Sequence, residues 1–197
     1  MGLYGASFGA AAVTAGLSTL QACVLSLLMF TGASQFALVG VLGAGGSAAA
    51  AVAGALLLGT RNTLYGVRMA SLVPERGPRR LAAAQVTIDE SAAMATAAPA
   101  EHARAAFWGT GLSVFVFWNA FTLLGALGAA QLGDPAALGL DALVPAAFLA
   151  LLWPQLPGRV ALAVAGALVA LLSLPFVPAG VPVLLSALVV LPALVRR

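Results

Sequence analysis

Residues 59–91 read GTRNTLYGVRMASLVPERGPRRLAAAQVTIDES and carry more than half of the chain's fixed charge. No residue before Arg61 is charged, and neither are residues 105–133, 142–158 or 160–195. The charged residues of the window are Arg61, Arg68, Glu75, Arg76, Arg79, Arg80, Asp89 and Glu90. A charge near the centre of a bilayer costs at least ~2.5–3.5 kcal/mol on insertion scales, so such residues persist mainly where they pair, meet water or have a function. The window therefore contains the first candidates for functional residues.

The composition predicts an all-α, polytopic helical membrane protein. Of the 197 residues, 62% are hydrophobic and 8% are charged, with a mean hydropathy of +1.06, whereas ordinary soluble domains are roughly a quarter charged. Because a spanning helix needs about 20 mostly apolar residues, we expect one transmembrane domain over residues 1–197 with about seven (six to eight) hydrophobic segments. At least one segment is expected to be broken or re-entrant. A faint similarity between residues 5–98 and 106–175 indicates a weak internal repeat.

The predicted helices follow the apolar runs. They lie at about 3–17, 18–42, 48–72, 81–98, 106–130, 143–153, 160–174 and 183–195. The loop at 73–80 contains three arginines, which makes it the best marker of the cytoplasmic side, and its charges are interpreted as topological. A second loop is predicted at 131–141. No basic region precedes the first apolar run, so a cleaved signal peptide is not expected.

The second predicted helix is interrupted near its centre by residues 31–35, which read TGASQ. Two interpretations of this segment are open. In the first, the helix divides into two half-helices, and the freed backbone N–H and C=O groups bind substrate, as in many transporters. In the second, Gly32 and Ser34 simply allow tight packing against a neighbouring helix. Ser18 is predicted to cap the start of this helix.

Arg61, Tyr65 and Arg68 lie on one face of the third predicted helix, because their spacing of four and three residues matches the helical period. Arg68 is interpreted as a residue whose side chain reaches the cytoplasmic interface. Arg61 lies about two turns deeper in the apolar segment. A functional or charge-pairing role is therefore the better interpretation of Arg61.

Asp89 and Glu90 lie in the fourth predicted helix, within polar stripes. Thr87, Ser91 and Met94 share a stripe with Glu90, and Gln85, Ala92 and Thr96 share one with Asp89. Adjacent residues point about 100° apart on a helix, so the two carboxylates cannot face one point equally. We favour a pair that faces a cavity over contact with lipid. The alternative is a wet, interfacial helix with two ordinary carboxylates.

Pairs of glycines in the first and fifth predicted helices predict close contact between helices. These pairs are Gly5 with Gly9 and Gly125 with Gly128. In an alanine-rich chain such spacings also arise by chance, so the pairs predict close contact without naming the partner helix.

The sequence lacks the motifs that several classes of function require. The net charge of +3 comes from scattered juxtamembrane arginines, which does not indicate a nucleic-acid surface. No G-x-S-x-G, H-E-x-x-H or Walker-type motif occurs, and His102 falls in a predicted loop. Cys23 is the one cysteine, so an intrachain disulfide is impossible. We therefore expect no enzymatic activity, no cofactor and no metal site.

Four segments, in this order and spacing, resemble the AzlC family, the large subunit of bacterial branched-chain amino acid exporters. The segments are GASQF (32–36), TRNTLYG (60–66), TIDES (87–91) and LGLDALVPAAFLALLWPQL (138–156). The resemblance covers about residues 5–156. Two positions depart from the family pattern: Gly59 stands where the family usually has Asn, and Asn62 where it usually has His.

The resemblance implies a multi-pass permease that exports branched-chain amino acids such as valine across the bacterial inner membrane, together with a small AzlD-type membrane subunit. An ion gradient is the expected source of energy. The alternatives are a non-transporting scaffold or assembly subunit, or a transporter of another small amphipathic solute. The hypothesised substrate-binding residues are Gly32, Ala33, Ser34, Gln35, Phe36, Arg61, Asn62 and Tyr65. The hypothesised proton or charge relay consists of Asp89, Glu90 and Arg61.

Individual roles follow from residue chemistry. Backbone groups of residues 32–35 would hold the charged termini of the amino acid. Arg61 would pair with the substrate carboxylate or with Asp89 or Glu90, and one of these two acids would carry a coupling proton. The residues hypothesised to form the apolar wall for the aliphatic side chain are Phe30, Phe36 and Met94.

Overall fold

The computed structural model describes residues 1–131 and 142–190 as helices joined by short connections. No strand occurs in this part of the chain, which confirms the all-α class. The helices are α1 (Gly2–Thr14), α2 (Thr19–Leu28), α3 (Ala33–Gly43), α4 (Ala48–Leu72), α5 (Pro78–Gln85), α6 (Asp89–Ala97), α7 (Ala103–Ala130), α8 (Leu143–Leu152), α9 (Val160–Ser173) and α10 (Val181–Ala187). Residues 132–141 of the second predicted loop and the end of the last predicted run, 191–195, lie outside the described residues.

The second predicted helix is divided into the half-helices α2 and α3 by a break at residues 29–32. Gly32 has a φ of +61°, a conformation that glycine adopts without the steric cost of a Cβ atom. The Gln35 side chain crosses the break, since its Oε1 accepts from Gly32 N–H at 3.1 Å and its Nε2 donates to the Leu25 carbonyl at 3.4 Å. Of the two interpretations left open, the structure shows the divided helix.

The prediction of one continuous helix over residues 81–98 is wrong, because residues 86–88 separate α5 from α6. Val, Thr and Ile follow one another there, and β-branched side chains lose rotamer freedom inside a helix. Ser91 stabilises the break: its Oγ accepts from Ile88 N–H at 3.0 Å and donates to the Val86 carbonyl at 2.7 Å. The chain therefore contains a second pair of half-helices that the apolar pattern did not reveal.

The predicted number of about seven spans is not confirmed. Among the described helices, α7 is the one that is long and apolar enough to cross a bilayer by length and composition. The other long helix, α4, carries Arg61 and Arg68. The two divided helices contribute only short pieces, since each break ends a run that would otherwise approach the ~20 residues of a span.

Helix α1 packs directly against the backbone of α7. A Cβ atom at any of three glycines would overlap a backbone carbonyl oxygen of the facing helix: Gly5 with Trp118, Gly9 with Thr122, and Gly125 with Ala6. The prediction of close contact is confirmed at these three positions. It is wrong at Gly128, which is exposed and has no atom within 4 Å of a built Cβ. Glycine thus sets the distance between the two helices.

An aromatic cluster joins the half-helix α3 to the α1–α7 pair. The ring of Phe8 lies 5.8 Å from that of Phe36 and 6.3 Å from that of Trp118, centroid to centroid. All three side chains are buried. The start of α3 is therefore held at a fixed place beside the middle of α7.

The charges of the 73–80 loop are not all solvated, as a purely topological role would require. The Glu75 side chain is only 5% exposed, and its Oε1 accepts from Arg104 Nε at 2.8 Å and from Trp108 Nε1 at 2.9 Å. These hydrogen bonds, with the Arg104 bond first, lower the pKa of the Glu75 carboxyl below its ordinary value of 4.5. Glu75 therefore ties the end of α4 to the start of α7.

We expect Glu75→Gln to lower the thermal unfolding temperature of the purified protein at neutral pH, because the amide loses the charge-assisted bonds. A carboxyl whose pKa is lowered on folding stabilises the protein above its unfolded pKa, and this contribution is lost as the pH falls through the folded pKa. The difference between wild type and variant should thus be constant above about pH 6 and shrink below the ordinary value of 4.5. Glu101→Gln, at a carboxylate that is 71% exposed, is the control and should leave the unfolding temperature unchanged. A difference that persists at low pH would contradict this account.

Candidate functional site

The two helix breaks meet at one cavity of about 70 Å³. This volume admits water molecules, since one water requires roughly 10–15 Å³ by the same kind of measure. The lining comes from both breaks and from α1, α4 and α7. The lining residues are Met1, Tyr4, Phe30, Thr31, Gly32, Ala33, Phe36, Arg61, Ile88, Asp89, Glu90, Val114 and Trp118. The cavity therefore brings the charged residues of the apolar segments together with the two helix breaks.

Arg61 connects the two breaks. Its Nη1 donates to Asp89 Oδ2 at 2.6 Å, and its Nη2 donates to the Thr31 carbonyl at 3.2 Å. The Arg61 and Asp89 side chains are 31% and 42% exposed, so the ion pair is open to the cavity and a solute can reach it. One guanidinium thus fixes the end of the first break to the start of the second.

The second carboxylate, Glu90, lines the same cavity without an ion pair among the described residues. Asp89 and Glu90 occupy the first turn of α6, where the partial positive charge of the helix N-terminus stabilises carboxylates. This placement depends on the break at residues 86–88. The cavity therefore holds two acidic side chains and one guanidinium, a net negative set of side chains when all are ionised.

The N-terminus of α3 also opens on the cavity. Gly32 and Ala33 line it, and the first N–H groups of a helix lack intrahelical acceptors and carry partial positive charge. The Gly32 N–H is already bonded to Gln35. The N–H groups that follow at the start of the helix are those suited to a carboxylate.

Buried donors lie beside the cavity. Arg61 Nε and Trp118 Nε1 are buried and have no hydrogen-bond partner among the described residues. Most buried donors in proteins have a partner, so these groups are candidates to bind an oxygen of a bound solute. In the residues that the structure describes, no three His, Cys, Asp or Glu side chains come together to hold a metal ion.

The structure brings half of the hypothesised substrate-binding residues to the cavity. Those that line it are Gly32, Ala33, Phe36 and Arg61; Ser34, Gln35, Asn62 and Tyr65 do not line it. Gln35 is fully buried and spans the first break. Tyr65 packs against the apolar cluster that contains Met69, and it also lies close enough to Arg61, Asp89 and Glu90 to interact with their charges.

Two of the three residues hypothesised to form the apolar wall line the cavity. Phe30 and Phe36 line the cavity, but Met94 is 53% exposed and does not. Met94 lies one turn beyond Glu90, about 6 Å further along α6, which carries it past the cavity. The rest of the wall is formed by Ile88, Val114 and Trp118, and by Tyr4 of α1.

Tyr4, Val114 and Trp118 were missed because α1 and the part of α7 beyond Arg104 carry no charge or motif that marks one face. The one sequence signal is the four-residue spacing of Val114 and Trp118, which places them on one face of α7. Any apolar helix offers many such pairs. Only the packing of α1 against α7 selects the pair that reaches the cavity.

Comparison with known proteins gives two matches. A family model described as AzlC protein matches residues 1–132. The chain is also 30% identical over 177 residues to the inner membrane protein YgaZ of Escherichia coli (strain K12), an alignment that covers 85% of this chain and 72% of that protein. No solved structure matches the chain. The matched region contains both helix breaks and every charged residue of the cavity.

Proposed function

This chain belongs to the AzlC family, and from that premise we propose that it exports branched-chain amino acids such as valine across the bacterial inner membrane. Family membership gives a membrane protein with a transport-related role. The substrate class, the direction and the multi-pass topology are parts of the proposal. So is a small AzlD-type membrane subunit as the partner, with the chain as the large subunit of a two-component permease.

One observation carries the substrate class: the cavity at the two breaks offers complementary groups for each part of an aliphatic amino acid. Such a molecule has a carboxylate, an ammonium group and a branched apolar side chain. The carboxylate matches the N-terminus of α3 and the guanidinium of Arg61, and the ammonium group matches Asp89 and Glu90. The side chain matches the wall that contains Phe30 and Phe36.

The ion pair defines how a zwitterion would enter. The Arg61 guanidinium already bonds Asp89, so a bound amino acid would exchange partners: its carboxylate would take a place on Arg61, and its ammonium group would compensate the carboxylate of Asp89. Total charge in the cavity is then unchanged by binding. Keeping charges paired limits the desolvation cost of moving a doubly charged solute through an apolar region.

Glu90 is the carboxylate that can carry a coupling proton in this proposal. It lies beside Asp89 but has no ion pair among the described residues, so neutralising it would not break the Arg61–Asp89 bond. A proton taken up on one side of the membrane and released on the other would link export to an ion gradient. The protein carries out no chemical conversion in this scheme.

A scaffold role is the competing proposal from another class. It would not require an arginine, two carboxylates and unpartnered donors around a cavity, because charges in apolar surroundings are costly. A transporter of another small amphipathic solute would require them. Substrate identity is therefore the main point to be tested.

The test is efflux of labelled valine from cells that have been preloaded with a valine-containing dipeptide. Efflux is compared for cells with this chain alone, with this chain and its small-subunit partner, and with neither. We expect faster efflux only when both proteins are present. Faster efflux with this chain alone would contradict the requirement for a partner subunit. Equal efflux with both proteins in the membrane and with neither would contradict export of branched-chain amino acids.

A further inference from the structure

A second, larger cavity of about 710 Å³ lies beyond the first, between α3, α4, α8 and α10. Its walls are apolar and include Ala37, Gly40, Gly54, Leu58 and Phe148. Gly54 is buried within the protein, yet a Cβ atom built on it meets nothing within 4 Å. That combination places Gly54 against open space inside the fold.

The two cavities share helix faces. On α3, Ala33 lines the first cavity, whereas Ala37 and Gly40 line the second, and positions four and seven residues apart lie on one face. On α4, Arg61 lines the first cavity, and Leu58 and Gly54 line the second; these positions are three and seven residues apart from Arg61, which also places them on one helix face. One helix turn is about 5.4 Å, so the cavities are neighbours along a single groove between α3 and α4.

An aromatic contact separates the two cavities. Phe36 lines the first and Phe148 lines the second, with ring centroids 6.4 Å apart and planes inclined by 68°. Phe36 is 1% exposed and is also packed against Phe8 and Trp118. Phe148, on α8, is half-buried and is therefore the less enclosed side of the contact.

We propose that the second cavity is an aqueous vestibule on the translocation path, and that the Phe36–Phe148 contact is the gate that closes it from the polar site. The occupant is water together with the transported solute, a small zwitterion with an aliphatic side chain. This assignment rests on the proposed function for the identity of the solute. The shared faces of α3 and α4 support the assignment of the second cavity as a vestibule, because a lipid pocket or a helix-docking groove would not need to continue to a charged cavity.

The apolar wall is compatible with this role. A cavity of about 710 Å³ holds many water molecules at ~30 Å³ each, so a zwitterion can keep part of its hydration. Its aliphatic side chain meets the apolar surface. Small residues on both helices, such as Ala37 and Gly54, leave the passage wide.

Cysteine labelling tests the vestibule without any need for transport. In a Cys23→Ser background, Gly54→Cys should react with a charged, membrane-impermeant thiol reagent, and Leu56→Cys should react only with a lipid-soluble maleimide. Leu56 lies on the same helix and is 67% exposed on its outer surface, so it is the matched control. If Gly54→Cys reacts with the lipid-soluble reagent alone, lipid fills the cavity. If its labelling is lost when the partner subunit is present, a partner helix fills the cavity. Either result overturns the proposal.

Efflux then tests the gate. We expect Gly54→Phe to reduce valine efflux at least tenfold by filling the passage, and Phe148→Ala to increase the downhill leak of valine severalfold by opening the contact. Phe176→Ala, at a side chain that is 83% exposed, is the control and should leave efflux unchanged. If wild type exports valine but both variants behave like wild type, the path is wrong and the proposed function stands. If wild type exports no valine, the proposed function fails, and the labelling experiment still decides whether the vestibule exists.

Discussion

Replacing Arg61 with glutamine is expected to reduce valine efflux at least tenfold. The substitution removes the bond to Asp89 and the bond to the Thr31 carbonyl together, so the two helix breaks lose their connection. A hydrogen bond to a charged group contributes about 1.5–3 kcal/mol, and 1.4 kcal/mol is a factor of ten. The variant also removes the guanidinium that bonds Asp89.

The matched control is Arg68→Gln, which removes an exposed arginine from the same helix and should leave efflux close to wild type. The double variant Arg61→Gln/Asp89→Asn separates stability from transport. Neutralising both partners should restore most of the thermal stability that Arg61→Gln loses, because neither member of the former ion pair is left as an unpaired charge. It should not restore efflux, since one of the groups proposed for each charged end of the substrate is gone. Normal efflux in Arg61→Gln, at wild-type expression, would contradict the proposed binding site. It would not affect the assignment of the chain to its family.

The second large effect is expected from a single methyl group at Gly9 or Gly125. A Cβ atom at Gly9 would overlap the Thr122 carbonyl oxygen, and one at Gly125 would overlap that of Ala6. Backbone atoms cannot rotate away as side chains do, so α1 and α7 must separate. Overpacking of this kind costs about 1–3 kcal/mol or more, and we expect Gly9→Ala and Gly125→Ala to lower the unfolding temperature and the yield of folded protein.

The control for this prediction is Gly128→Ala on the same helix as Gly125. Nothing lies within 4 Å of a Cβ at Gly128, and alanine is about 1 kcal/mol better than glycine in a helix interior. Thermal unfolding in detergent should therefore show opposite or at least unequal shifts for the two substitutions on α7. Equal stabilisation at Gly9, Gly125 and Gly128 would contradict the close approach of α1 and α7.

The first helix break was one of two interpretations that the sequence left open, and the second break was not predicted. Gly32 stands inside an otherwise apolar run, and a glycine with polar neighbours is a local signal for a positive φ. Residues 86–88 have no glycine or proline, and their β-branched side chains only weaken a helix. The Ser91 hydroxyl completes that break through bonds to Val86 and Ile88, a geometry that appears only once the turn has formed.

The candidate site shows the same division. Arg61 and Asp89 were identified because isolated charges in apolar surroundings are costly. Such charges can be recognised from the types of the neighbouring residues alone. Their pairing was one of several open choices, since 28 residues separate them. Met94 was assigned to the apolar wall from its residue chemistry, but the second break moves the start of α6, and Met94 does not line the cavity.

By itself the sequence determined the helical membrane class and the bounds of helices such as Ala48–Leu72, because hydropathy and backbone preference are properties of neighbouring residues. It also identified the few charged residues in apolar segments, whose cost indicates that they pair or have a function. Only the tertiary structure decided that Arg61 bonds Asp89 and the Thr31 carbonyl, and that Trp118 joins the cavity. Those facts depend on how closely whole helices approach, and that distance is set by backbone contact at positions such as Gly9, which no local pattern specifies.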